Sequence, residues 1–166
     1  IEYQTILKIK KLLYILAGIV PYKPNIAELS RKIGTSRDLL SKYLELLEKA
    51  NLIKQLQSKN KSISYMAKPE KIYLNNTTLM YALNENNTNS GTLRETFFMN
   101  QLSCNHEISY PKCGDFLIDS KFLFEIGGKN KTREQIKGIE NSYIAADGIE
   151  YGFKDKYPLW LFGFLY

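Results

Sequence analysis

Cysteine and histidine are scarce in this sequence, and long apolar runs are absent. The two cysteines, Cys104 and Cys113, lack metal-ligand spacing, and with the single histidine, His106, they form a weak zinc site at best. The longest apolar run covers residues 12–20, far short of the roughly 20 residues that cross a bilayer. It also lacks a signal-peptide cleavage pattern. We therefore expect ordinary buried or free thiols in a reducing compartment, and a cytoplasmic protein.

A nucleotide-binding loop is also missing. The stretch GGKNKT invites comparison with the Walker pattern, which needs a glycine at position 123 and a serine or threonine at position 130. This chain has Leu123 and Asn130 there, so it contains no P-loop. Ile1 is not a start methionine, and the first helix begins without a capping residue, so we expect a piece of a longer protein.

The net charge of +6 is distributed unevenly. Residues 1–68 contain 13 lysines and arginines against 5 acidic residues, whereas residues 69–166 contain 10 against 12. The length allows two small domains, and the predicted boundary lies between residues 68 and 69. A basic half suits a polyanion such as nucleic acid, although a solvated lysine-rich surface explains the charge almost as well.

The basic half has the pattern of three helices. Apolar residues keep helical spacing over residues 5–20. Asn25 with Glu28 resembles a capping box, and Gly34 marks the end of a short second helix. Ser36 caps a third helix. The apolar stripe of that helix consists of Leu40, Tyr43, Leu44 and Leu47. Two short helices joined by the residues GTS predict a helix-turn-helix.

Two strand-like segments follow at residues 52–57 and 63–67, joined by a polar, lysine-containing connection. The whole stretch resembles a winged helix-turn-helix domain, in which the third helix enters the DNA major groove and the wing touches the backbone. The predicted DNA-contacting side chains are Arg37, Lys42, Lys59 and Lys61. A protein-packing module is the alternative, because Glu45 and Glu48 on the outer face of the third helix would repel phosphate.

The acidic half alternates strands and helices. The predicted elements are a strand at 71–75, helices at 78–83 and 92–103, strands at 107–111, 115–119 and 121–127, a helix at 132–141 and a strand at 142–146. Thr92 and Glu95 resemble a capping box for the second of these helices. An asparagine-rich loop at residues 84–91 precedes it. The order predicts an α/β sandwich.

The hairpin in this half can be tested by its register, because faces alternate along each strand. A turn at residues 119–121 places the apolar side chains of the two strands opposite one another, whereas a two-residue turn matches them less well. The predicted pairs are Ile118 with Phe122, Phe116 with Phe124, and Asp115 with Glu125. The two acids would lie roughly 5 Å apart and repel. A Mg²⁺ ion would remove that repulsion, since hard cations take carboxylate ligands. A solvated hairpin face is the alternative.

Other candidate residues flank the hairpin. Glu95 is either a third carboxylate ligand or the helix cap. Lys129 and Lys131 follow two glycines, and they either reach the carboxylates or a phosphate, or form loop surface. Gln135, in the next predicted helix, is only suggestive.

Asp115, the strand that contains Glu125, a following lysine and Gln135 together resemble the PD-(D/E)XK restriction-endonuclease-like fold. Over nearly the whole chain, the sequence resembles the C-terminal region of bacterial and archaeal AAA+ ATPases whose last domain is of unknown function. The segments that carry this likeness are PNIAELSRKIGTSRDLLSKYLELLEKANLI, KPEKIYLNN, GTLRETFF, GDFLI, FEIGGKNKTREQI and PLWLFGFLY.

The resemblance implies an upstream ATPase module that binds ATP. It further implies an α/β chain with a winged helix-turn-helix over residues 1–68. A restriction-endonuclease-like α/β sandwich with a central mixed sheet would follow over residues 69–166. The expected function is a DNA-binding or regulatory region of the ATPase. The alternatives are a Mg²⁺-dependent DNA endonuclease, and a module that packs against other subunits or a partner protein.

By the same resemblance, Glu95, Asp115 and Glu125 fall on the acidic positions that bind metal and carry out catalysis. An active member would place a lysine two residues after the second acid, to position or deprotonate the attacking water. That position is Gly127 in this chain, and Lys129 is the predicted substitute. Without such a lysine, metal binding could persist while cleavage is lost.

Overall fold

The chain contains both helices and strands, and it divides into two units. The computed structural model describes residues 2–58, 68–83 and 89–165. The first unit comprises residues 1–57 and 61–88, and the second comprises residues 58–60 and 89–166. Within the described ranges, every helix is too short or too polar to cross a membrane.

Three helices open the first unit: α1 (Tyr3–Ile19), α2 (Ile26–Ile33) and α3 (Arg37–Lys49). The Asn25 side chain accepts a hydrogen bond from the Glu28 N–H, and Ser36 accepts one from the Leu39 N–H, so both predicted caps are confirmed. Gly34 ends α2 with a φ of 71°, a left-handed conformation that glycine adopts without a steric penalty. The predicted stripe of α3 is buried: Leu40, Tyr43, Leu44 and Leu47.

An antiparallel strand pair completes the first unit together with a short helix. The strands are β1 (Ile53–Leu56) and β2 (Lys71–Leu74), and the helix is α4 (Thr77–Leu83). Tyr22, between α1 and α2, adds a bridge to β2 through two backbone hydrogen bonds with Ile72, of 3.0 and 2.9 Å. The segment predicted as the second strand of the wing, residues 63–67, lies outside the described residues.

The boundary between the units differs from the predicted one. Residues 71–75 were expected to open the second domain, but β2 pairs with β1 along its whole length, from Ile53 opposite Leu74 to Leu56 opposite Lys71. The division of the chain falls after Thr88 instead of after residue 68. The physical reason for this boundary is the backbone pairing between the two strands. A change of charge along the sequence does not indicate such pairing.

The second unit contains one long helix, α5 (Ser90–Leu102), and a five-stranded mixed sheet. The strands are β3 (Ile108–Ser109), β4 (Phe116–Ile118), β5 (Phe122–Gly127), β6 (Ser142–Ala146) and β7 (Lys156–Pro158). They lie in sequence order across the sheet. The pairs β3–β4 and β4–β5 are antiparallel, whereas β5–β6 and β6–β7 are parallel.

The two faces of this sheet are chemically different. On one face Phe98 of α5 packs with its ring centroid 5.5 Å from that of Phe116 and 5.0 Å from that of Phe124. Phe162, from a 3₁₀ helix at Leu159–Phe164, lies 4.8 Å from Phe98. The opposite face carries an aliphatic cluster of Leu123, Ile136, Ile144 and Ala146. Because side chains alternate along a strand, Glu125 shares this second face with Leu123.

Two predicted local features differ from the structure. The helix expected at residues 132–141 is only a 3₁₀ turn at Glu134–Ile136, because Gly138 and Asn141 take left-handed conformations with φ of 78° and 52°. The cap of α5 is Asn89, whose side chain accepts from the N–H groups of Gly91 and Thr92. The helix therefore begins before Thr92, and Thr92 does not cap it.

Candidate functional site

The hairpin of β4 and β5 has the predicted register. Phe116 lies opposite Phe124, and Ile118 lies opposite Phe122. Beyond Phe116, the Asp115 N–H donates to the Phe124 carbonyl at 2.9 Å. A carboxylate oxygen of Asp115 accepts from the Ile126 N–H at 2.7 Å. Asp115 therefore lies beside the β5 segment that contains Glu125, and one of its oxygens is engaged by the backbone.

Glu125 is a buried carboxylate held by a lysine. Its side chain is 1% exposed, and its Oε1 forms an ion pair with the ammonium of Lys131, whose side chain is 27% exposed. Within the described part of the chain, Oε2 of Glu125 has no hydrogen-bond partner. A buried carboxylate is unfavourable without a countercharge, and Lys131 supplies one. The lysine that the structure brings to Glu125 is therefore Lys131, and not the predicted Lys129, which is exposed.

Gly127 makes room for this lysine. A Cβ atom added at position 127 would lie 2.6 to 2.7 Å from Cβ, Cγ and Cδ of Lys131, closer than real Cβ contacts allow. The stem of Lys131 therefore occupies the space that a side chain at position 127 would need. Gly127 and the lysine four residues later are two parts of one packing arrangement.

The loop that carries Lys131 is fixed by backbone contacts. The Lys156 ammonium donates to the carbonyls of Lys129 and Lys131 at 2.6 and 3.1 Å. The Lys131 N–H donates to the Gly128 carbonyl at 2.9 Å, and the Asp147 N–H donates to the Gly127 carbonyl at 2.8 Å. Lys131 thus reaches Glu125 from a backbone that is held on both sides of the two glycines.

Arg94 of α5 is a site residue that the sequence did not indicate. Its Nε donates to an Asp147 carboxylate oxygen at 2.9 Å, and its guanidinium lies 3.6 Å from where a Cβ at Gly128 would stand. Arg94 and Asp147 are 53 residues apart, so no local pattern links them. Its neighbour Glu95, predicted as a ligand, is half-buried on the same helix.

The three carboxylates expected to bind metal do not form a metal-binding group. Within the described ranges, no three His, Cys, Asp or Glu side chains are arranged to hold a metal ion. One oxygen of Glu125 is paired with Lys131, and one oxygen of Asp115 accepts a backbone N–H. As placed, these donors do not fit the three-carboxylate Mg²⁺ site that the nuclease resemblance implies.

The outer surface of α3 carries the described part of the predicted DNA contacts. Arg37 and Lys42 are exposed on this helix. Glu45 pairs with Lys49 at 2.6 Å. Both oxygens of Glu48 accept hydrogen bonds from Gln55 of β1, one from its N–H and one from its side-chain amide, each at 2.8 Å. Lys59 and Lys61, the predicted wing contacts, lie outside the described residues.

An apolar groove lies on the aromatic face of the second sheet. Its volume is about 680 Å³. The lining residues are Phe122, Phe124, Tyr143, Tyr157, Leu161, Phe162, Phe164 and Leu165. Since Phe124 and Glu125 are neighbours on β5, the groove and the Glu125 site lie on opposite faces of the sheet.

A hydrogen-bonded pair of side chains, Asp119 and His106, lies at the turn between β4 and β5. One carboxylate oxygen of Asp119 contacts Nδ1 of His106 at 2.7 Å, and the other accepts from the Glu107 N–H at 2.9 Å. The His106 hydrogen bond, helped by the Glu107 N–H, lowers the pKa of the Asp119 carboxyl from its ordinary value. Cys104 and Cys113 are free thiols, and both are exposed.

Comparison with known protein families gives one match. The sequence model of a family described as a domain of unknown function, DUF8612, matches residues 2–90. The chain belongs to the DUF8612 family. The DUF8612 match ends two residues after the first unit, so it follows the structural boundary at Thr88 and not the predicted boundary at residue 68. Neither the curated proteins nor the solved structures contain a match to the chain.

Proposed function

We propose that the chain is a DNA-binding, regulatory region of an AAA+ ATPase. In this proposal the first unit is a winged helix-turn-helix that contacts duplex DNA. The second unit is a nuclease-like domain that has lost cleavage. The observation that carries the proposal is the surface of α3, where Arg37 and Lys42 are exposed while Glu45 and Glu48, two of the three acidic side chains of this helix, are engaged by other residues.

The order of elements supports the winged-helix part. A helix, a bridging extended segment at Tyr22, a helix-turn-helix and two antiparallel strands follow one another in the first unit. This order is typical of winged helices, and it makes β2 the returning strand. The connection between β1 and β2 would then be the wing, and it includes Lys59 and Lys61.

Glu45 and Glu48 of α3 are the main argument against DNA contact. Glu45 is neutralised by Lys49, and Glu48 binds Gln55 with both oxygens. Neither carboxylate is left to meet a phosphate alone, whereas Arg37 and Lys42 point to solvent. Phosphate contacts from such side chains provide most of the affinity for DNA of any sequence.

Loss of cleavage is supported by the donor set around Glu125. The lysine expected at position 127 is absent, and the lysine that does arrive, Lys131, is paired with a carboxylate oxygen that a metal ion would use. Fold alone does not establish activity, so this part depends on the side chains.

The DNA-binding part is tested by fluorescence anisotropy with a labelled duplex, measured over a range of salt concentrations. We expect Arg37→Ala with Lys42→Ala to weaken binding, and to reduce the salt slope by about 1 for each lost phosphate contact. We expect Lys59→Ala with Lys61→Ala to act in the same direction.

The matched control is Lys112→Ala with Lys137→Ala. It removes the same charge from two exposed lysines of the second unit, which makes no DNA contact in this proposal. We expect its affinity to stay within about twofold of the unmodified chain. Equal losses in both double variants, or no salt-sensitive binding at all, would contradict the proposal.

A second candidate, an active nuclease, is favoured by the contact between Lys131 and Glu125, which brings a lysine to the acid despite Gly127. Incubation of the chain with plasmid DNA and Mg²⁺ or Mn²⁺ distinguishes the two. We expect intact plasmid at high protein concentration. Cleavage that disappears in Glu125→Ala would establish the nuclease and overturn the loss of activity proposed here.

A further inference from the structure

The aromatic face of the second sheet contains a groove that the proposed function does not use. Its volume of about 680 Å³ lies within the range of roughly 300–1,000 Å³ that is typical of small-molecule sites. The eight described residues that line it are all aromatic or aliphatic. Their polar side-chain groups are the hydroxyls of Tyr143 and Tyr157. The groove therefore suits a ligand with an apolar body.

A row of aromatic rings crosses three strands in this groove. The ring of Tyr143 on β6 lies between those of Phe122 on β5 and Tyr157 on β7, with centroid distances of 6.3 and 5.9 Å. Because neighbouring strands lie about 4.8 Å apart, the row is about 10 Å long. The rings contact one another, so a planar molecule finds no gap between them. This shape favours an elongated apolar chain that lies along the row.

Part of the lining is exposed to water. Leu161 and Tyr157 are each 39% exposed, and Phe164 is 70% exposed. A ligand chain in the groove would remove this apolar surface from water, which is the main driving force for binding of apolar molecules.

A cation lies at one end of the row. The ammonium of Lys121, an exposed side chain, lies 4.9 Å from the centroid of the Phe122 ring. The nearby acid Asp119 has its two carboxylate oxygens engaged by His106 and by the Glu107 N–H. A ligand with a negative end group gains an attraction to Lys121, whereas a positive end group is repelled. One lysine beside apolar side chains suits a single negative charge better than a polyanion.

We propose that this groove binds a fatty-acid carboxylate. The alkyl chain would lie along the row of Phe122, Tyr143 and Tyr157, and the carboxylate would lie at Lys121. This inference goes beyond the proposed function, because it concerns the aromatic face of the second sheet and holds whether or not the first unit binds DNA.

The test is isothermal titration calorimetry of the full 166-residue chain with dodecanoate, at concentrations below those at which the ligand forms micelles and at about pH 7.5, where carboxylates are ionised. We expect one saturable site with a negative heat-capacity change, which is the mark of apolar burial. Dodecyltrimethylammonium has the same alkyl chain and a positive end group, and we expect it to bind at least about tenfold more weakly.

Two aspartate variants locate the site. Leu161→Asp places a charge in the lining of the groove, and we expect it to weaken dodecanoate binding by at least about tenfold. Tyr151→Asp is the matched control, because this side chain is 84% exposed and is not one of the lining residues. Its affinity should stay within about twofold of the unmodified chain. Circular dichroism checks that both variants are folded.

A charge reversal tests the end group. Lys121→Glu should weaken dodecanoate binding by about tenfold and strengthen binding of dodecyltrimethylammonium. Lys112→Glu makes the same change at an exposed lysine that does not line the groove, and both affinities should stay within about twofold. Since Lys121 is exposed, this arm stands even if Leu161→Asp does not fold.

Three outcomes would overturn the proposal. The first is the absence of a saturable dodecanoate site, including the case in which sedimentation shows a dimer that Leu161→Asp dissociates, since a second copy of the chain would then cover the groove. The second is equal affinity for the two ligands. The third is an equal loss of dodecanoate binding in each variant and its matched control.

Discussion

The two units each contain a glutamate paired with a lysine, but the pairs differ in burial. Glu45 and Lys49 of α3 have side chains that are 37% and 65% exposed, and they lie one helical turn apart. Glu125 and Lys131 have side chains that are 1% and 27% exposed. The chemical groups are the same, but the two pairs differ in their exposure to water. This difference determines how much each pair contributes to stability.

Water explains the difference between the pairs. An exposed pair exchanges good hydration for a screened attraction, so its net contribution is typically below about 1 kcal/mol. A buried carboxylate has already lost its hydration, so removal of its partner leaves an uncompensated charge in a medium of low polarity. The first pair therefore neutralises Glu45 on the surface of α3, whereas the second determines whether the Glu125 carboxylate can be buried at all.

The largest expected effect comes from breaking the buried pair. Lys131→Met should lower the free energy of unfolding by about 3–5 kcal/mol in metal-free buffer, because Glu125 is left charged and buried. Lys49→Met, the matched change in the exposed pair, should lower it by less than about 1 kcal/mol. Urea denaturation of both variants measures the difference. Equal losses would show that burial does not separate the two pairs.

A smaller effect is expected from filling the space beside Gly127. Gly127→Ala should be destabilising by about 1–3 kcal/mol, because the new Cβ meets the stem of Lys131. Lys131→Gly removes every atom of that stem, so Gly127→Ala should be less destabilising when made in that background. Lys131→Ala keeps the Cβ contact and should give less relief. Strictly additive effects in the Lys131→Gly background would contradict this packing arrangement.

The smallest effect concerns an exposed acid, Asp119, whose pKa in the folded state is lowered chiefly by the hydrogen bond with His106. Its stabilising contribution is present above the pKa of the unfolded chain, and it is lost as the pH falls through the lowered pKa. Asp119→Asn keeps a residue that tolerates the left-handed turn conformation, with φ of 50°, but cannot titrate.

Melting temperatures measured between about pH 6 and pH 2 test this. The unmodified chain should lose more stability than Asp119→Asn over the acidic part of the range. Parallel profiles for the two proteins would show that the carboxylate of Asp119 does not contribute in this way.

Features set by neighbouring residues were predictable from the sequence. The caps of α2 and α3, the stop at Gly34 and the buried stripe of α3 depend on residues within about one or two turns. The β4–β5 register was also predictable, because only one alignment makes the apolar side chains of two adjacent strands coincide.

Features set by distant partners were not predictable in the same way. The predicted boundary separates β2 from its partner, β1, because 14 residues lie between the two strands and no local pattern links them. The α-helix predicted at residues 132–141 does not form, because a glycine and an asparagine in left-handed conformations interrupt it. Arg94 and Asp147 are 53 residues apart, so no periodic pattern in the sequence predicts their hydrogen bond.

The mixed α/β composition, the two capped helices joined by a short turn and the β4–β5 hairpin follow from the amino-acid sequence, because helical and strand periods and cap hydrogen bonds involve residues that are close along the chain. The cation that neutralises Glu125 follows from the folded backbone instead. The choice between Lys129 and Lys131 depends on the path of a glycine-containing loop and on the space above Gly127. Both are properties of the folded backbone, which spacing along the chain does not specify.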